Sequence, residues 1–268
     1  MNKYNTKITK MDNIQDVHYL EEFNLEFRNS NYEIKYARHA PDVSLDQIEN
    51  DPYMKNFSEF AEKISEFIPD GSEVIDIGAY DGDTSLPLAL LAGKNGRCIN
   101  FECGPAWHRL QINAGLNKFL NMENYNYAVS NHDGIDLFNY QHDVGGSKYK
   151  TDHVGTYPLK RFVRTIELQK FLDTLNLKNL NFVKLDTEGF DVPILFFMQK
   201  YIDQFRPIIH IEWFPTTDRD LFQFLTSKNY FSVDYFTLKT FEKLPNYWVQ
   251  DLLLIPKEKE NNFPSLVK

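Results

Sequence analysis

Strand-like and helix-like segments alternate along the greater part of this chain of 268 residues. The short apolar segments expected to be strands are residues 73–77, 97–101, 125–129, 181–185 and 207–213. Helices are expected between them, at residues 83–92, 104–119, 165–175, 192–201 and 218–228. Such alternation predicts an α/β fold, in which a parallel sheet carries helices on both faces. The last two strands, 230–236 and 248–255, have no helix between them and are expected to form an antiparallel hairpin.

Two segments fall outside this alternation. Residues 1–50 are polar, with scattered aromatic residues and no sustained period, and we expect them to form an N-terminal arm or substrate cap. The main domain is then 51–268, and it begins with a helix in which Asp51-Pro52 supplies the N-cap and the first helical residue. Residues 131–164 show no clear pattern. Because long loops in compact domains are usually functional, 1–50 and 138–164 are expected to cover the ligand-binding edge of the sheet.

Charge and cysteine usage exclude several classes of protein. Lysine and arginine number 29 against 38 aspartate and glutamate, a net charge of −9 with neutral histidine. Such a surface repels phosphate backbones, so no nucleic-acid partner is expected. The only basic cluster, residues 160–164 (KRFVR), is expected to be a solvated loop edge. Cys98 and Cys103 are expected to be free thiols in a reducing compartment. The apolar stretch 86–92 is far shorter than the ~20 residues of a membrane span, so a cytoplasmic protein without a span is expected.

The loop after the first strand has the composition of a ligand-binding turn. In open α/β sheets, ligands bind at the carboxyl ends of the strands. Here residues 76–84 (DIGAYDGDT) connect the first strand to a helix. Gly78 permits a tight turn, and Gly82 permits a close approach of the backbone at the start of the helix.

A cationic ligand without phosphate suits this loop better than a dinucleotide does. A dinucleotide-binding loop would need glycine where Tyr80 stands, and Asp81 and Asp83 would repel a pyrophosphate. S-adenosylmethionine has no phosphate and carries a sulfonium and an α-ammonium group. Glu102 follows the second strand, where its carboxylate can accept hydrogen bonds from both ribose hydroxyls. The sequence therefore predicts S-adenosylmethionine as the cofactor.

Several segments resemble motifs of class I S-adenosylmethionine-dependent methyltransferases, and more narrowly of the FkbM family, over about residues 72–255. These segments are residues 73–86 (EVIDIGAYDGDTSL), 100–105 (NFECGP), 128–130 (AVS) before Asp133-Gly134, 182–191 (FVKLDTEGFD) and 210–212 (HIE). Lys184, Asp186, Glu188 and Gly189 match the Lys-x-Asp-x-Glu-Gly core of the family. The chain departs from the family at Cys103, where a proline is common, and at 166–168, where an aspartate is absent.

The resemblance implies a Rossmann-like sheet of seven strands, mostly parallel, with an antiparallel C-terminal hairpin and a small N-terminal cap. It also implies that the domain 51–268 binds S-adenosylmethionine. The glycine-containing loop, the second-strand acid and the resemblance together predict ten cofactor-binding residues: Asp76, Gly78, Ala79, Tyr80, Asp81, Gly82, Thr84, Glu102, Ala128 and Asp186.

Acidic residues at the ends of the fourth and fifth strands are candidates for catalysis. Methyl transfer is an in-line displacement, and an alcohol acceptor needs a base or a metal to remove its proton. The predicted catalytic residues are Asp186, Glu188, His210 and Glu212. Lys184 lies in an otherwise apolar strand and is expected to pair with a carboxylate.

Alternatives remain for each of these residues. Lys184 and Asp186 could serve only to fix the end of the strand, and His210 could be a core histidine. Three histidines outside the strands are alternative bases: His39, His142 and His153. The carboxylates could bind Mg²⁺ or Ca²⁺, but no metal ligand is predicted because no strict ligand spacing is visible.

The resemblance implies an O-methyltransferase that acts on a hydroxyl of a small acceptor, with a sugar or glycan intermediate as the expected class. One alternative is an NAD(P)-dependent oxidoreductase with the same sheet, which the loop composition disfavours. Another is a catalytically inactive scaffold that binds the cofactor. The expected partner is therefore a small hydroxylated molecule, and the sequence does not set the oligomeric state.

Overall fold

The computed structural model of the chain describes residues 6–14, 17–141, 144–147, 159–213, 218–240, 251–263 and 266. Its strands, in chain order, are β1 (Lys7–Ile14), β2 (Val17–Phe27), β3 (Ser30–Arg38), β4 (Glu73–Ile77), β5 (Arg97–Phe101), β6 (Met122–Tyr125), β7 (Ala128–Ser130), β8 (Gly134–Gln141), β9 (Val144–Ser147), β10 (Leu159–Glu167), β11 (Leu180–Leu185), β12 (Ile208–Glu212), β13 (Tyr230–Asp234) and β14 (Asp251–Pro256). Its α-helices are α1 (Leu45–Asn50), α2 (Tyr53–Ile64), α3 (Ser85–Ala92), α4 (Trp107–Leu116), α5 (Leu168–Thr174), α6 (Asp191–Phe197), α7 (Gln199–Phe205) and α8 (Asp218–Lys228). His142 and His153 lie outside the described residues.

Seven strands form the central sheet in the order β13-β14-β12-β11-β4-β5-β6. The strands from β12 to β6 run parallel to one another, and β14 runs antiparallel to both of its neighbours. Strand β14, the second strand of the hairpin, therefore lies between β12 and β13. This architecture confirms the expected α/β fold, a Rossmann-like, mostly parallel sheet of seven strands with an antiparallel C-terminal hairpin.

Helices cover both faces of the central sheet, which explains why its inner strands are apolar without alternation. Successive residues of β4 point to opposite faces. Val74 belongs to a core shared with α2 and α3, and Ile75 belongs to a core shared with α5, α6 and α8. No helix among the described residues is long and apolar enough to cross a membrane.

The predicted position of the third strand is wrong. The strand in the sheet is β6, and the apolar residues of 125–129 are shared between its last residue and β7 in a different sheet. The polar residues of β6 are satisfied by neighbours on β5: Glu123 pairs with Arg97 at 3.0 Å, and Asn124 accepts a hydrogen bond from Asn100 at 2.7 Å. These side-chain pairs stabilise β6 as a strand, although hydropathy alone does not identify the segment as one.

The described parts of the unassigned segment 131–164 contribute β8, β9 and most of β10 to a second sheet, in the order β7-β10-β8-β9. The basic cluster 160–164 lies within β10 and is not the loop edge that the sequence analysis expects. Exposed and buried residues alternate from Phe162 to Thr165, so that Val163 is buried whereas Arg164 is exposed. The predicted helix 165–175 begins only at Leu168, because β10 continues to Glu167.

Within the N-terminal segment 1–50, the described strands form an antiparallel sheet in the order β1-β2-β3. Alternate residues of β2 are buried from Val17 to Phe23, but one of them is Glu21, which hides the period in the sequence. Glu21 is satisfied in the interior by the backbone N–H of Tyr53 and by Arg38. Helix α2 also begins one residue later than expected, because Pro52 is its N-cap and Asp51 ends α1.

Candidate active site

A cavity of about 320 Å³ lies at the carboxyl ends of β4, β5 and β11. Its apolar lining includes Ile77, Phe101, Val129, Phe138 and Phe190. Its polar lining includes Tyr80, Asp83, Glu102, Lys184, Asp186, Thr187 and Glu188. The cavity is therefore at the sheet edge where ligands bind in open α/β folds.

The loop after β4, residues 78–84, is called the glycine loop below. Its first residue approaches the end of β11 so closely that only glycine fits. Gly78 has a φ of +85°, and a Cβ there would lie 1.8 Å from the carbonyl oxygen of Asp186. The N–H of Gly78 donates to Phe101 and the N–H of Asp186 donates to Ile77, each at 3.0 Å. The glycine loop is thus fixed to the strands on both sides of β4.

The carboxylate of Glu102 lines the cavity in a fixed orientation. It accepts hydrogen bonds from the backbone N–H of Tyr80, at 2.9 Å, and from that of Gly104. Burial raises the pKa of Glu102 to about 7, although both hydrogen bonds act to lower it. Each carboxylate oxygen has a second lone pair, so Glu102 can still accept hydrogen bonds from two neighbouring hydroxyls of a ligand.

The structure brings half of the predicted cofactor-binding residues to the cavity. Those in its lining are Gly78, Tyr80, Glu102, Ala128 and Asp186. Those placed behind the cavity surface are Asp76, Ala79, Asp81, Gly82 and Thr84, and all of them but Thr84 are buried. The residues of the second group therefore do not line the cavity themselves.

Asp76 illustrates this division. It is fully buried, and its Oδ2 accepts hydrogen bonds from the hydroxyls of Thr84, at 3.0 Å, and Ser85, at 2.6 Å. Its Oδ1 lies 3.8 Å from Nζ of Lys184. Asp76 therefore fixes the start of α3 and pairs with a buried cation.

The ion pair expected for Lys184 is present. Its Nζ donates to Oδ2 of Asp186 at 3.0 Å, while the residue itself is 4% exposed. Burial acts to lower the pKa of Lys184, but Asp186, Asp76 and Asp83 together raise it above its usual range. The ammonium group is therefore a permanent positive charge at the edge of the cavity.

Two of the four predicted catalytic residues, Asp186 and Glu188, line the cavity. His210 is not among the residues that line it; it is 5% exposed, and its Nε2 lies 3.0 Å from Oδ1 of Asp251. The ring of His210 also stacks on Tyr235 with 4.4 Å between centroids. This packing favours the alternative of a core histidine.

Glu212 ends β12 outside the cavity lining, near several other carboxylates. Burial, with Asp186 and Glu188 nearby, raises the pKa of Glu212 to about 9. At neutral pH this carboxyl group is therefore protonated. Asp191 accepts hydrogen bonds from the backbone N–H groups of Thr187 and Gly189 and so fixes the turn that carries Glu188.

Asp83 belongs to the site but was not among the predicted site residues, although its charge was a reason to expect a cationic ligand. The side chain of Asp83 lines the cavity and is exposed there. Desolvation by the surrounding protein and repulsion from the carboxylate of Asp81 raise the pKa of Asp83 to about 7. Its position at the end of a ligand-binding loop was the available signal. Phe138 gave none, because it reaches the cavity from β8 in the unassigned segment.

No group of three or more His, Cys, Asp and Glu side chains within the described ranges is placed to hold a metal ion. His39 lies beside His18, with 5.0 Å between the ring centroids, and does not belong to the cavity lining.

The order of the central sheet, the glycine loop and the acid after β5 define a class I S-adenosylmethionine-dependent methyltransferase. A family model for the methyltransferase FkbM domain matches residues 76–232, more than half of the chain. The chain belongs to this FkbM methyltransferase family, and its cofactor is S-adenosylmethionine.

Three solved structures similar to this chain come from a bacterial FkbM protein, a bacterial O-methyltransferase and an archaeal fibrillarin. The FkbM methyltransferase of Methylobacillus flagellatus KT is 16% identical, with a TM-score of 0.45, over 69% of this chain and 44% of that one. The O-methyltransferase of Bacillus cereus, in complex with S-adenosylhomocysteine, is 12% identical, with a TM-score of 0.45, over 81% and 84%. Aeropyrum pernix fibrillarin, with bound S-adenosylmethionine, is 8% identical, with a TM-score of 0.43, over 95% and 100%.

This chain thus spans less than half the length of the Methylobacillus protein. A comparison with the curated proteins gives no match.

The cavity fits S-adenosylmethionine in its chemistry. Glu102 can hold the two ribose hydroxyls, and the apolar walls formed by Phe101, Val129 and Phe138 suit a planar base. The carboxylates of Asp83 and Asp186 suit the positive charges of the methionyl part. When bound, the cofactor supplies a methyl group on a sulfonium.

Glu102→Ala is expected to weaken the binding of S-adenosylhomocysteine by roughly 10- to 150-fold, the range for hydrogen bonds to a charged group. The affinity of the unmodified protein should also fall as the pH drops below about 7, because Glu102 then gains a proton. Calorimetric titration between pH 6 and 8 measures both effects. Glu123→Ala is the matched control, because this acid lies on the adjacent strand β6 and pairs with Arg97. Equal affinities for both variants would contradict the assignment of Glu102.

Proposed function

We propose that this protein methylates a hydroxyl group of a small acceptor, with a sugar or glycan intermediate as the acceptor class. The observation that carries this proposal is the set of carboxylates at the cavity. Asp83, Asp186 and Glu188 line it, and Lys184 is the one ammonium group among its lining residues. Such a surface can orient a neutral polyol and remove a proton from it.

The chain must supply two things for this reaction: a fixed position for the acceptor hydroxyl, and a base for its proton. Lys184 holds the carboxylate of Asp186 at 3.0 Å, which limits the movement of an otherwise exposed side chain. Asp83 has a pKa of about 7, close to the value that general-base catalysis favours at neutral pH. One of these carboxylates takes up the acceptor proton, while the bound cofactor would supply the methyl group to the acceptor oxygen with cleavage of its methyl–sulfur bond and would leave as S-adenosylhomocysteine.

The carboxylates also support a sugar over a phenol as acceptor. An alcohol holds its proton far more tightly than a phenol does, so it has the greater need of a base. Neighbouring sugar hydroxyls can donate to Asp186 and Glu188 together. The carbohydrate class itself comes from the resemblance to the FkbM family.

The test is an acceptor panel with methyl-labelled S-adenosylmethionine, in which sugars and glycosides are compared with phenols, amines and carboxylic acids. Methylation of a sugar hydroxyl supports the proposal, whereas a phenol or an amine as the preferred acceptor contradicts it. Binding of S-adenosylhomocysteine with no turnover on any acceptor would favour the inactive scaffold. Titration with NAD in place of S-adenosylhomocysteine tests the oxidoreductase alternative.

A further inference from the structure

The N-terminal sheet is joined to the methyltransferase core by Asn113 of α4 and by Asn117, the C-cap residue of that helix. Asn113 accepts a hydrogen bond from the N–H of Ala37, at 2.6 Å, and donates to its carbonyl oxygen, at 3.3 Å. Asn117 does the same with Lys35, at 3.0 and 2.6 Å. Four helical residues rise about 6 Å and two strand residues about 6.6 Å, so the two spacings match. The asparagines thus pair with the free edge of β3 as a neighbouring strand would.

Strand β3 also contacts the glycine loop directly. The hydroxyl of Tyr36 donates to Oδ1 of Asp81 at 2.8 Å in the interior, and Asn113 donates to the backbone oxygen of Asp81, also at 2.8 Å. Tyr36 stacks on Tyr53 with 3.7 Å between centroids, and the Tyr53 hydroxyl donates to the backbone oxygen of Asp83 at 2.6 Å. The loop is therefore held on both sides of Gly82 by residues that do not line the cavity.

The contacts continue from Asp81 to the cofactor-binding carboxylate. Nε of Arg109, which is fully buried, lies 4.0 Å from Oδ2 of Asp81. The Arg109 guanidinium lies 5.4 Å from the centre of the Tyr80 ring. Tyr80 has a φ of +49° and donates its backbone N–H to Glu102 at 2.9 Å. A continuous set of contacts thus connects β3 with the cavity.

We propose that β3 positions the glycine loop for cofactor binding, with Tyr36 as the positioning residue that acts through Asp81 and Arg109 on Tyr80 and Glu102. This role differs from that of a substrate cap. None of the described residues of the N-terminal sheet belongs to the cavity lining. A cap could be altered without effect on cofactor affinity, whereas a positioning strand could not. The inference concerns the cofactor and does not depend on the identity of the acceptor.

The charge of Asp81 gives this role a pH dependence. Burial raises the pKa of Asp81 to about 6, while the Tyr36 hydroxyl and Arg109 act to lower it. The other titratable groups that face this network are Tyr53 on α2 and, within the loop, Tyr80 and Asp83. Without the Tyr36 hydroxyl, Asp81 takes up a proton at a higher pH. In the variant, Arg109 therefore loses its counter-ion at a pH at which Asp81 of the unmodified protein is still ionised.

The experiment compares Tyr36→Phe with Tyr19→Phe in the full chain. Both residues are buried in the N-terminal sheet, and each variant loses one hydroxyl hydrogen bond, but Tyr19 donates to Val43 and not to the glycine loop. Tyr36→Phe is expected to weaken S-adenosylhomocysteine binding roughly 3- to 10-fold at pH 8. The ratio between the Kd of the variant and the Kd of the unmodified protein should be larger at pH 6 than at pH 8. The affinity of Tyr19→Phe for S-adenosylhomocysteine should stay within about twofold of that of the unmodified protein at both pH values. The change in Tm should be similar for the two variants.

A second pair decides the matter if Tyr36→Phe does not fold. Asn113→Ala and Asn117→Ala each remove two hydrogen bonds to β3, but only Asn113 also donates to Asp81. Asn113→Ala is expected to weaken S-adenosylhomocysteine binding several-fold more than Asn117→Ala. The proposal is overturned if both tyrosine variants show the same affinity ratio at both pH values, or if Asn117→Ala is the more damaging of the asparagine variants.

Discussion

Asp186→Asn is expected to lower kcat by about 10²- to 10⁴-fold, the usual contribution of a positioned acid or base. The side chain lines the cavity at the end of β11 and is held by Lys184 at 3.0 Å. Asparagine keeps the shape of aspartate but neither accepts a proton nor balances the ammonium charge. Steady-state kinetics with the acceptor found in the panel should show the loss in kcat, with a smaller change in KM for S-adenosylmethionine.

The matched control for this variant is Asp203→Asn. Asp203 also pairs with a lysine, Lys228, at 2.7 and 2.9 Å, but lies on α7 outside the cavity lining. Its loss should leave kcat unchanged, since exposed ion pairs contribute little. If Asp186→Asn instead lowers Tm and leaves the folded enzyme fully active, the residue only fixes the strand end. A rise in KM for S-adenosylmethionine with unchanged kcat would assign Asp186 to cofactor binding alone.

All of the central sheet except β6 could be located approximately from the sequence, because parallel strands covered on both faces leave continuous apolar runs. The same reasoning identified the strand ends, and with them Glu102, Lys184 and Asp186. Strands with one polar face or a buried charge were not recognised. Glu21 interrupts the inward face of β2, and Glu123 interrupts β6; both are satisfied by arginines that are distant in the sequence or on another strand.

The cavity itself was only half predictable, for a reason that His210 illustrates. Its register on β12 places it directly beside Lys184 on β11. Which of these side chains reaches the cavity depends on what covers the sheet. Tyr235 and Phe60 pack around the ring of His210, whereas Lys184 extends to Asp186. Contacts made by α2 and by the segment after β13 decide this outcome, and no local pattern encodes them.

The glycine loop shows the same distinction between motif and role. The pattern of residues 76–84 predicted a ligand-binding turn, and the cavity lies there. The pattern did not separate residues that line the cavity, such as Tyr80, from residues that hold the loop, such as Asp76 and Asp81. That separation depends on Tyr36 and Arg109, which come from elements before and after the loop.

Gly78→Ala is expected to abolish measurable binding of S-adenosylhomocysteine, a loss of at least about 100-fold. The added Cβ would lie 1.8 Å from the backbone oxygen and 2.7 Å from the backbone carbon of Asp186, and backbone atoms cannot move aside as a side chain does. Separation of the two strand ends would break the hydrogen bond from Asp186 to Ile77. It would also move Tyr80 away from Glu102. Calorimetric titration measures the affinity, and circular dichroism shows whether the variant folds.

Gly82→Ala separates this collision from simple backbone strain. Gly82 also has a positive φ, +92°, so both variants carry the cost of a left-handed conformation, roughly 1–2 kcal/mol. At Gly82, however, the nearest atom to the added Cβ is the end of the Leu110 side chain, at 3.0 Å, which can rotate. Gly82→Ala should therefore lower Tm by a few degrees and retain most of the cofactor affinity. If both alanine variants bind equally well, the close approach of Gly78 to β11 does not control the shape of the site; if both lose binding equally, strain in the loop is sufficient to explain the effect. Only a loss confined to Gly78→Ala shows that the contact between the glycine loop and the end of β11 forms the cofactor site.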